Sequence, residues 1–239
     1  MELKKPKNEG DYGFEIPQDV LDEIRRNSKK NKLIPEEAVQ DLEFVDVSRR
    51  SYNIVKRSFD LILSALAMIV CAIPILIISL IVYINDPGPV IFSQYRVGRH
   101  GKRFKVYKFR TMVQNTPKYL STKDVKNPKQ YITKVGRILR KTSLDELPQL
   151  WNVLKGDMSM VGPRPALPRE TEQYDAHAWE RTSVVPGLTC YWQIQPKRNS
   201  LSFEKWLELD LKYIEERSFL VDWKIMFGTI SAVLHMEGE

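Results

Sequence analysis

The sequence contains little cysteine and little histidine. Only Cys71 and Cys190 occur among its 239 residues, one inside an apolar stretch and one far beyond it. A disulfide framework is therefore not expected, and the low cysteine content fits a body that faces the reducing cytosol. The three histidines, His100, His177 and His235, are too far apart in the chain for metal-ligand spacing. This spacing argues against a zinc site.

Two common motifs are also missing. The first ten residues, MELKKPKNEG, are polar and contain no apolar signal core, so secretion is not expected. The glycines at 98 and 101 do not form a phosphate-binding P-loop, because Lys102 follows too short a glycine spacing and precedes an arginine. These glycines therefore do not predict a P-loop nucleotide site.

One long apolar run is present, from Leu61 to Ile84, and none of its 24 positions carries a charge. At about 1.5 Å per residue, a straight helix of this length would just span the roughly 30 Å hydrocarbon core of a bilayer. The run therefore predicts membrane association. Pro74, near its middle, lacks the N–H that would bond back four residues, and it favours a kink.

Basic residues flank this run on both sides. Positive charge marks the cytoplasmic side, and a spanning helix should show it mainly at one end. The pattern favours a kinked segment that dips into the membrane and returns, although one spanning anchor with a tolerated proline stays open. The flanking charges are Arg49, Arg50, Lys56 and Arg57 against Asp60 before the run, and Arg96, Arg99, Lys102, Arg103, Lys105, Lys108 and Arg110 against Asp86 after it.

The net charge of +7 is unevenly divided along the chain. Residues 1–48 carry a net charge of −4, and the remainder carries +11. A basic body joined to a membrane segment suggests anionic lipid headgroups or phosphorylated substrates as partners. Nucleic acid, the other partner of basic proteins, is not expected beside such a segment.

The rest of the chain contains several element signals. Pro17–Arg26 and a stretch from Pro35 predict short helices in an acidic extension, whose role stays open between a solvated tail and a partner-binding segment. Residues 90–97 and 103–109 are rich in β-branched and aromatic residues and predict a β-hairpin. Residues 116–130 predict a loop, and residues 132–140 a short amphipathic helix.

Two apolar stripes at helical spacing predict two closing helices. Asp210 falls on the first stripe, where a carboxylate is costly unless it is paired or binds a metal, so a metal-side role and a structural pairing with an arginine both stay open. The second stripe suits either the core or a membrane interface. The stripes consist of Phe203, Trp206, Leu207, Leu211 and Ile214, and of Trp223, Phe227, Ile230 and Leu234.

The sharpest local signal is a pair of adjacent carboxylates, Asp145 and Glu146. Pro148 suits a first helical turn, which predicts Asp145 at or near the N-cap of a helix. Two carboxylates beside Arg140 at a positive helix end suit a site where anions and divalent cations meet. Ordinary helix capping would explain the same residues.

Two proline-rich stretches follow. Pro163 and Pro165 stiffen the backbone on both sides of Arg164, so its guanidinium is presented at a low entropic cost and matches phosphate oxygens. The stretch 186–189, PGLT, precedes the aromatic pair Tyr191 and Trp192. These aromatic rings suit stacking on a base or packing in the core.

Taken in order, these motifs closely resemble the bacterial sugar transferases known as small monotopic phosphoglycosyl transferases. The resemblance extends from about residue 54 to the C-terminus. It rests on Lys56-Arg57 with Phe59-Asp60, the proline-broken apolar run, Pro87-Gly88-Pro89, Lys108-Phe109-Arg110-Thr111-Met112, Leu144-Asp145-Glu146-Leu147, residues 152–159, Gly162-Pro163-Arg164-Pro165, residues 186–189 and Glu208-Leu209-Asp210.

The resemblance implies an enzyme that moves a sugar-1-phosphate from a UDP-sugar to undecaprenyl phosphate or another polyprenyl phosphate. Asp145 and Glu146 match the family's Asp-Glu dyad, whose aspartate attacks the β-phosphate, releases UMP and carries the phosphosugar. Mg²⁺ assists the family's reaction. The resemblance also implies a place at the inner (cytoplasmic) membrane, with the catalytic body on the cytosolic face.

The expected site residues follow from the motifs and the resemblance together. We expect Asp145 as nucleophile with Glu146 beside it, and a membrane break at Pro74. Oligomeric state stays open, a homodimer included. The remaining assignments are phosphate binding by Arg140, Arg164, Lys108 and Arg110, a nucleotide or sugar side formed by Pro186, Gly187, Thr189 and Gln193, and Mg²⁺ ligation by Asp145, Glu146 and Asp210.

The expected fold is an α-rich α+β fold of a monotopic membrane protein. It comprises an acidic extension (1–53), a re-entrant helix-break-helix insert (54–86) and a cytosolic transferase body with a small β-hairpin (87–239). Two departures from the family pattern stand out, because Ile73 occupies the position where serine usually precedes the proline, and Cys190 the position of a common glycine. A non-catalytic membrane scaffold is the alternative function, which the intact dyad disfavours.

Overall fold

The computed structural model describes residues 50–114, 116, 130–195 and 201–234. Two helices come first, α1 (Arg50–Val70) and α2 (Ala72–Asn85), separated by a break at Cys71. The predicted break is confirmed, three residues before Pro74. Pro74 is the third residue of α2, and its ring would collide with the carbonyl of Val70, so the helix cannot run straight through this point.

No helix within the described ranges is long and apolar enough to cross a bilayer by itself. The segments Ser51–Val70 and Ala72–Asn85 meet that criterion only as a pair, bent by 59°.

Most apolar side chains of this bent pair are exposed. Ile69, Val70, Ile73 and Leu76 each expose more than two thirds of their surface. On α2, Ile78 and Val82 are buried against the rest of the protein. The pair is therefore anchored to the body along one side and bare along the other.

The predicted hairpin is confirmed. Strands β1 (Ile91–Val97) and β2 (Arg103–Phe109) pair antiparallel, from Ile91 opposite Phe109 to Val97 opposite Arg103. A turn at Arg99–Gly101 joins them, in which His100 has a positive φ of 52°. Phe104 and Val106 are buried on one face of β2, against Val153 and Met158, whereas Phe109 is buried on the other face.

The segment after the hairpin forms the centre of the body. Helix α3 (Lys134–Lys141) confirms the predicted amphipathic helix, and Thr133 caps it by accepting from the Gly136 N–H at 2.8 Å. A 3₁₀ helix (Leu144–Gln149) follows and continues into α4 (Leu150–Lys155). Arg57 of α1 donates to the carbonyls of Val153 and Leu154, so α1 closes the C-terminal end of α4.

Among its described residues, the C-terminal part contains a second, smaller sheet and three α-helices, besides two short 3₁₀ helices. Strands β3 (Ser159–Val161) and β4 (Gly187–Thr189) pair in parallel. Helices α5 (Ala176–Trp179), α6 (Phe203–Glu216) and α7 (Phe219–Leu234) surround the main core, which includes Trp179, Tyr213 and Ile225. The two closing helices were predicted correctly.

Helix α7 packs with the face opposite to the predicted stripe. Its buried residues include Asp222 and Ile225, whereas Trp223, Phe227 and Ile230 are exposed by 42%, 62% and 54%. The core interpretation of that stripe is therefore wrong for these three residues. The stripe lies next to α1, where the Phe59 and Trp223 rings meet edge to face at 5.4 Å.

Asp222 ties α7 to α1. Its carboxylate accepts from Lys56 Nζ at 2.7 Å and from the Tyr52 hydroxyl at 3.0 Å, and it lies 2.8 Å from the Tyr213 hydroxyl. Asp222 is only 2% exposed, and these contacts compensate for burying its charge. The sequence analysis missed this residue, because an aspartate near a helix start is typical of ordinary capping.

Several predicted segments cannot be compared with the structure. The helices predicted in residues 17–26 and from residue 35 lie outside the described residues, as does most of the loop predicted over 116–130.

Candidate active site

Asp145 and Glu146 lie on the 3₁₀ helix, and not at an α-helical N-cap. Ser143 is the cap of that helix and Asp145 is its second residue, so the prediction of Asp145 at or near a helix N-cap is confirmed, but the helix takes the 3₁₀ form and not the α form. The reason is Pro148, whose ring cannot follow an α-helical carbonyl at position 144, so the residues around it adopt the tighter 3₁₀ form and the α-helix begins only at Leu150.

The backbone changes direction at Ser143, just before the dyad. Its φ of 56° lies in the left-handed region, which is uncommon for a residue other than glycine. This conformation ends α3 and redirects the backbone, and the Glu146 N–H bonds to the Ser143 carbonyl at 3.1 Å. Residues held in such conformations cluster at functional sites, where the surrounding structure compensates for the strain.

A lysine from the hairpin reaches the dyad. Lys108 Nζ of β2 lies 2.5 Å from Glu146 Oε1, and both side chains are about three-quarters buried. The structure therefore brings together two residues that the sequence analysis placed in separate motifs. Asp145 itself is buried, with 8% of its surface exposed. The dyad therefore combines a buried carboxylate, Asp145, with a partly buried carboxylate, Glu146, that is paired with an ammonium group.

Asn152 fixes the position of the dyad relative to β2. Its side-chain amide donates to the Lys105 carbonyl at 2.6 Å and accepts from the Tyr107 N–H at 3.2 Å, and the residue is fully buried. These two bonds join α4 to the strand that carries Lys108. The sequence offered one signal for this role, an asparagine within an otherwise apolar helical turn.

The predicted phosphate-binding arginines have different surroundings. Arg140 Nε donates to the Thr111 hydroxyl at 2.9 Å, at the end of the helix that precedes the dyad. Arg110 is turned toward the end of α2, where it donates to the Asp86 carbonyl and forms an ion pair with the Asp86 carboxylate at 3.5 Å. Arg110 thus links the helix pair to the hairpin.

Arg164 lies against an aromatic ring. The centre of its guanidinium lies 4.8 Å from the centroid of the Trp192 ring, a cation–π contact that holds the planar group in one orientation. Its backbone carbonyl accepts from Arg181 at 3.1 Å. The predicted stiffening of this segment is therefore reinforced from two sides.

Asp210 forms a buried ion pair with Arg181. Both side chains are at least 94% buried, and Arg181 also donates to the Tyr174 hydroxyl at 2.6 Å. Burial raises the pKa of the Asp210 carboxyl, and the neighbouring Arg181 guanidinium opposes that rise. Of the two interpretations left open for Asp210, the pairing with an arginine is the one that the structure contains.

The stretch predicted for the nucleotide or sugar side forms strand β4 and its flanks. The Pro186 carbonyl accepts from the Ser159 N–H, and the Gly187 N–H donates to the Pro163 carbonyl at 2.9 Å. A Cβ at Gly187 would lie 2.0 Å from the Gly162 nitrogen, so only glycine allows this approach. This stretch holds the backbone beside Arg164 in place.

Thr189 and Gln193 lie at the far end of this stretch. The Thr189 hydroxyl shares a hydrogen bond with the Thr229 hydroxyl of α7. Gln193 accepts from the Cys190 thiol at 3.6 Å. Both predicted residues therefore have structural partners close to the main core.

The three predicted magnesium ligands do not form one cluster. Within the described ranges, no group of three or more histidine, cysteine, aspartate or glutamate side chains could hold a metal ion. Of the three predicted ligands, only Asp145 and Glu146 are neighbours in the chain. Mg²⁺ is often bound through one or two carboxylates together with substrate phosphates, and this adjacent pair of carboxylates fits that requirement.

Comparison with known proteins shows that the chain is similar to bacterial sugar transferases. Residues 51–236 match the family model described as bacterial sugar transferase. The UDP-glucose:undecaprenyl-phosphate glucose-1-phosphate transferase of Escherichia coli (strain K12) is 45% identical over 161 residues, 64% of this chain and 34% of that protein. The undecaprenyl-phosphate galactose phosphotransferase of Salmonella typhimurium is 41% identical over 180 residues, 66% of this chain and 37% of that protein.

Relatives of similar size also match. The uncharacterized sugar transferase EpsL of Bacillus subtilis (strain 168) is 45% identical over 158 residues, 66% of this chain and 76% of that protein. This chain thus spans about a third of the length of the two larger transferases and three-quarters of the smaller one. The matched region contains every site residue described above, and the chain belongs to the bacterial sugar transferase family.

Proposed function

We propose that this protein transfers a sugar-1-phosphate from a UDP-sugar to undecaprenyl phosphate and so initiates assembly of a surface glycan or exopolysaccharide. The observation that carries the proposal is the dyad, with Lys108 Nζ 2.5 Å from Glu146 Oε1 and Asp145 buried beside it, inside the region that matches the family. The Escherichia coli relative is named for a UDP-sugar donor and an undecaprenyl phosphate acceptor, and the Salmonella relative for the same acceptor, which supports this choice.

The proposed reaction has two displacements. A carboxylate oxygen of Asp145 attacks the β-phosphorus of the donor, the bond to the UMP oxygen breaks, and UMP leaves with its electron pair. An oxygen of the lipid phosphate then attacks the same phosphorus, and the bond to Asp145 breaks. This sequence predicts ping-pong kinetics, because the soluble product departs before the lipid acceptor reacts.

Basic residues are proposed to offset the charge of the anionic substrates. Two phosphorylated substrates repel each other and repel the nucleophile, so positive groups must offset their charge. Lys108 at Glu146, Arg140 at the preceding helix end and Arg164 on Trp192 are the proposed phosphate-binding groups. Arg110 remains a weaker proposal, since Asp86 already accepts from it.

Mg²⁺ is the proposed cofactor, held by Asp145 and Glu146. The ion would supply charge neutralisation at the diphosphate oxygens. Asp210 is less suited as a ligand, because its ion pair with Arg181 is buried.

We also propose that α1 and α2 form a re-entrant insert with the body on the cytosolic face. The 59° bend, the bare apolar surface of both helices and basic residues at both ends support this arrangement. The exposed Trp223, Phe227 and Ile230 of α7 lie beside α1 and suit contact with the same membrane surface.

The test is the half-reaction with Mg²⁺ and a panel of UDP-sugars. Purified protein without acceptor should gain the mass of one phosphosugar group, and UMP turnover should require polyprenyl phosphate. Asp145→Asn should abolish both, because an amide cannot act as the nucleophile, a loss of at least about 1,000-fold.

Glu208→Gln serves as the matched control, since Glu208 is a carboxylate exposed by 63% on α6 and should leave turnover unchanged. Turnover by Asp145→Asn equal to that of the control would refute the nucleophile assignment. Absence of an adduct while the full reaction proceeds would refute the covalent mechanism.

A further inference from the structure

A second site lies at the opposite end of α4 from the dyad. The dyad precedes the start of α4, whereas a cavity of about 200 Å³ borders Gly156 at its end. The walls come from the start of α1, the turn between β1 and β2, the start of β3, the loop before β4 and the end of α6. None of Lys108, Asp145, Glu146 and Arg164 lines it.

The walls of this cavity are strongly basic. Lys56, Arg57, Arg99 and Arg217 all line it, and Asp60 is the one carboxylate among the lining residues. Even when Asp222, the partner of Lys56, is counted, cations outnumber carboxylates by four to two. Low-dielectric walls concentrate the field of such an excess charge, so the cavity attracts anions.

Arg57 shows how the fold keeps this charge in place. It donates to the carbonyls of Val153 and Leu154 at 2.6 and 2.7 Å, and these neutral acceptors orient the guanidinium without cancelling its charge. Gly156 makes room for it, since a Cβ there would lie 3.2 Å from an Arg57 nitrogen and the glycine has a φ of 88°. The guanidinium is therefore presented to the cavity by a rigid frame.

A buried hydroxyl provides an independent indication of a ligand. Ser183 lines the cavity and is only 2% exposed, yet its Oγ has no hydrogen-bond partner among the residues that the structure describes. Buried hydroxyl groups are nearly always hydrogen-bonded, and one that is not requires an explanation. Because this oxygen is closed off from solvent, a rotation of the Ser183 side chain about χ1 would be needed before an acceptor oxygen of a bound anion could provide the missing partner.

We propose that this cavity binds a phosphoryl group, at a site separate from the dyad. Four cations and a hydroxyl donor match the oxygens of a phosphate. The volume is below the roughly 300 Å³ at which pockets begin to enclose drug-sized ligands, so the cavity suits a phosphate group and not a whole nucleotide sugar. The source is a free phosphate or the headgroup of an anionic phospholipid, since α1 leads from Arg57 directly into the apolar run.

The experiment uses the full-length protein carrying Asp145→Asn, without a sugar donor, so that turnover plays no part. In one arm, inorganic phosphate is titrated by calorimetry into protein in a neutral detergent. In the other, native mass spectrometry counts phosphatidylglycerol molecules retained from bilayers of phosphatidylcholine and phosphatidylglycerol. Arg99→Gln and Ser183→Ala are compared with Arg103→Gln, which removes an exposed arginine of the same hairpin outside the cavity.

We expect Arg99→Gln and Ser183→Ala each to weaken binding by about 3- to 10-fold in at least one arm, and Arg103→Gln to change it less than about twofold. Loss confined to the calorimetric arm assigns the site to free phosphate, and loss confined to lipid retention assigns it to a headgroup. Affinities in both arms that match those of Arg103→Gln would overturn the proposal. Arg99 is exposed, so Arg99→Gln is expected to fold. This variant therefore tests the proposal even if Ser183→Ala fails to fold.

Discussion

Arg181 illustrates how one buried side chain supports several parts of the candidate site. It pairs with Asp210 on α6, donates to the Tyr174 hydroxyl at 2.6 Å and donates to the Arg164 carbonyl at 3.1 Å. The ion pair therefore holds the backbone of the residue proposed to bind phosphate. Its two members lie 29 positions apart in the chain, and the sequence pattern allowed an arginine partner for Asp210 without indicating which arginine it is.

Asp210→Asn is expected to lower the free energy of unfolding by about 3–5 kcal/mol, because it leaves the Arg181 charge buried without its carboxylate. The measurement is chemical denaturation in detergent followed by tryptophan fluorescence. Glu208→Gln, on the same helix, breaks only an exposed pair with Lys205 and should change that energy by less than about 1 kcal/mol. Equal losses in the two variants would contradict the structural role of the buried pair.

Cys190 gives a prediction about alkaline pH. Burial raises the pKa of its thiol to about 12 from an ordinary value of 9.0, so the folded protein holds this proton more tightly than the unfolded chain. The resulting stabilisation is complete below pH 9 and is lost as the pH rises toward 12.

We therefore expect Cys190→Ala to lose less stability than the parent protein between pH 9 and 12, as measured by thermal unfolding at a series of pH values. Cys71→Ser, which removes the other and less buried thiol, should follow the parent. A parallel decline of Cys190→Ala and parent over this range would contradict the prediction.

At the scale of elements, the break between α1 and α2 depends on Pro74. Pro74→Ala restores an N–H that can bond the Val70 carbonyl, so the two helices should straighten from their 59° bend. Spin labels at Ser58→Cys and Asn85→Cys, in a Cys71→Ser background, report the distance between the two arms. At about 1.5 Å per residue, straightening should lengthen it by about 5 Å.

Ile73→Ala is the control for this measurement, since Ile73 is 69% exposed and its replacement leaves the proline in place. The labelled distance should stay unchanged in this variant. An unchanged distance in Pro74→Ala as well would show that other contacts, and not the proline, maintain the bend.

The elements also show what the sequence could predict. The hairpin, α3 and the two closing helices follow from local periodicity, and the resemblance to the family follows from ordered motifs. The 3₁₀ form around Asp145 did not follow, because one proline is compatible with both a first α-helical turn and a 3₁₀ turn. The exposed stripe of α7 could not be distinguished from a buried one, since both have the same spacing.

Contacts between distant segments account for the rest. The approach of Lys108 to Glu146 depends on how the hairpin packs against the 3₁₀ helix. The role of Asp222 depends on the docking of α7 against α1. Neither arrangement can be recognised from local composition. The sequence therefore predicted the residues of the dyad, but it did not predict the side chains that contact them.

At the scale of the whole molecule, the acidic extension is expected to be dispensable for catalysis. The family match begins at residue 51, and the first described helix begins at Arg50. A protein lacking residues 1–48 should release UMP at a rate within about twofold of the full-length chain. A larger loss, measured in the same lipid and with the same donor, would assign the extension a part in the reaction.

The contacts between α1 and α7 have a consequence for biosynthesis. Lys56 and Asp222 are separated by 166 positions, and Phe59 meets Trp223 in the same place. The apolar helix pair therefore leaves the ribosome well before the helix that secures its polar end has been translated. In the proposed re-entrant arrangement, the pair would enter the lipid before α7 is made, and the contacts of α7 would then hold in place a topology that already exists.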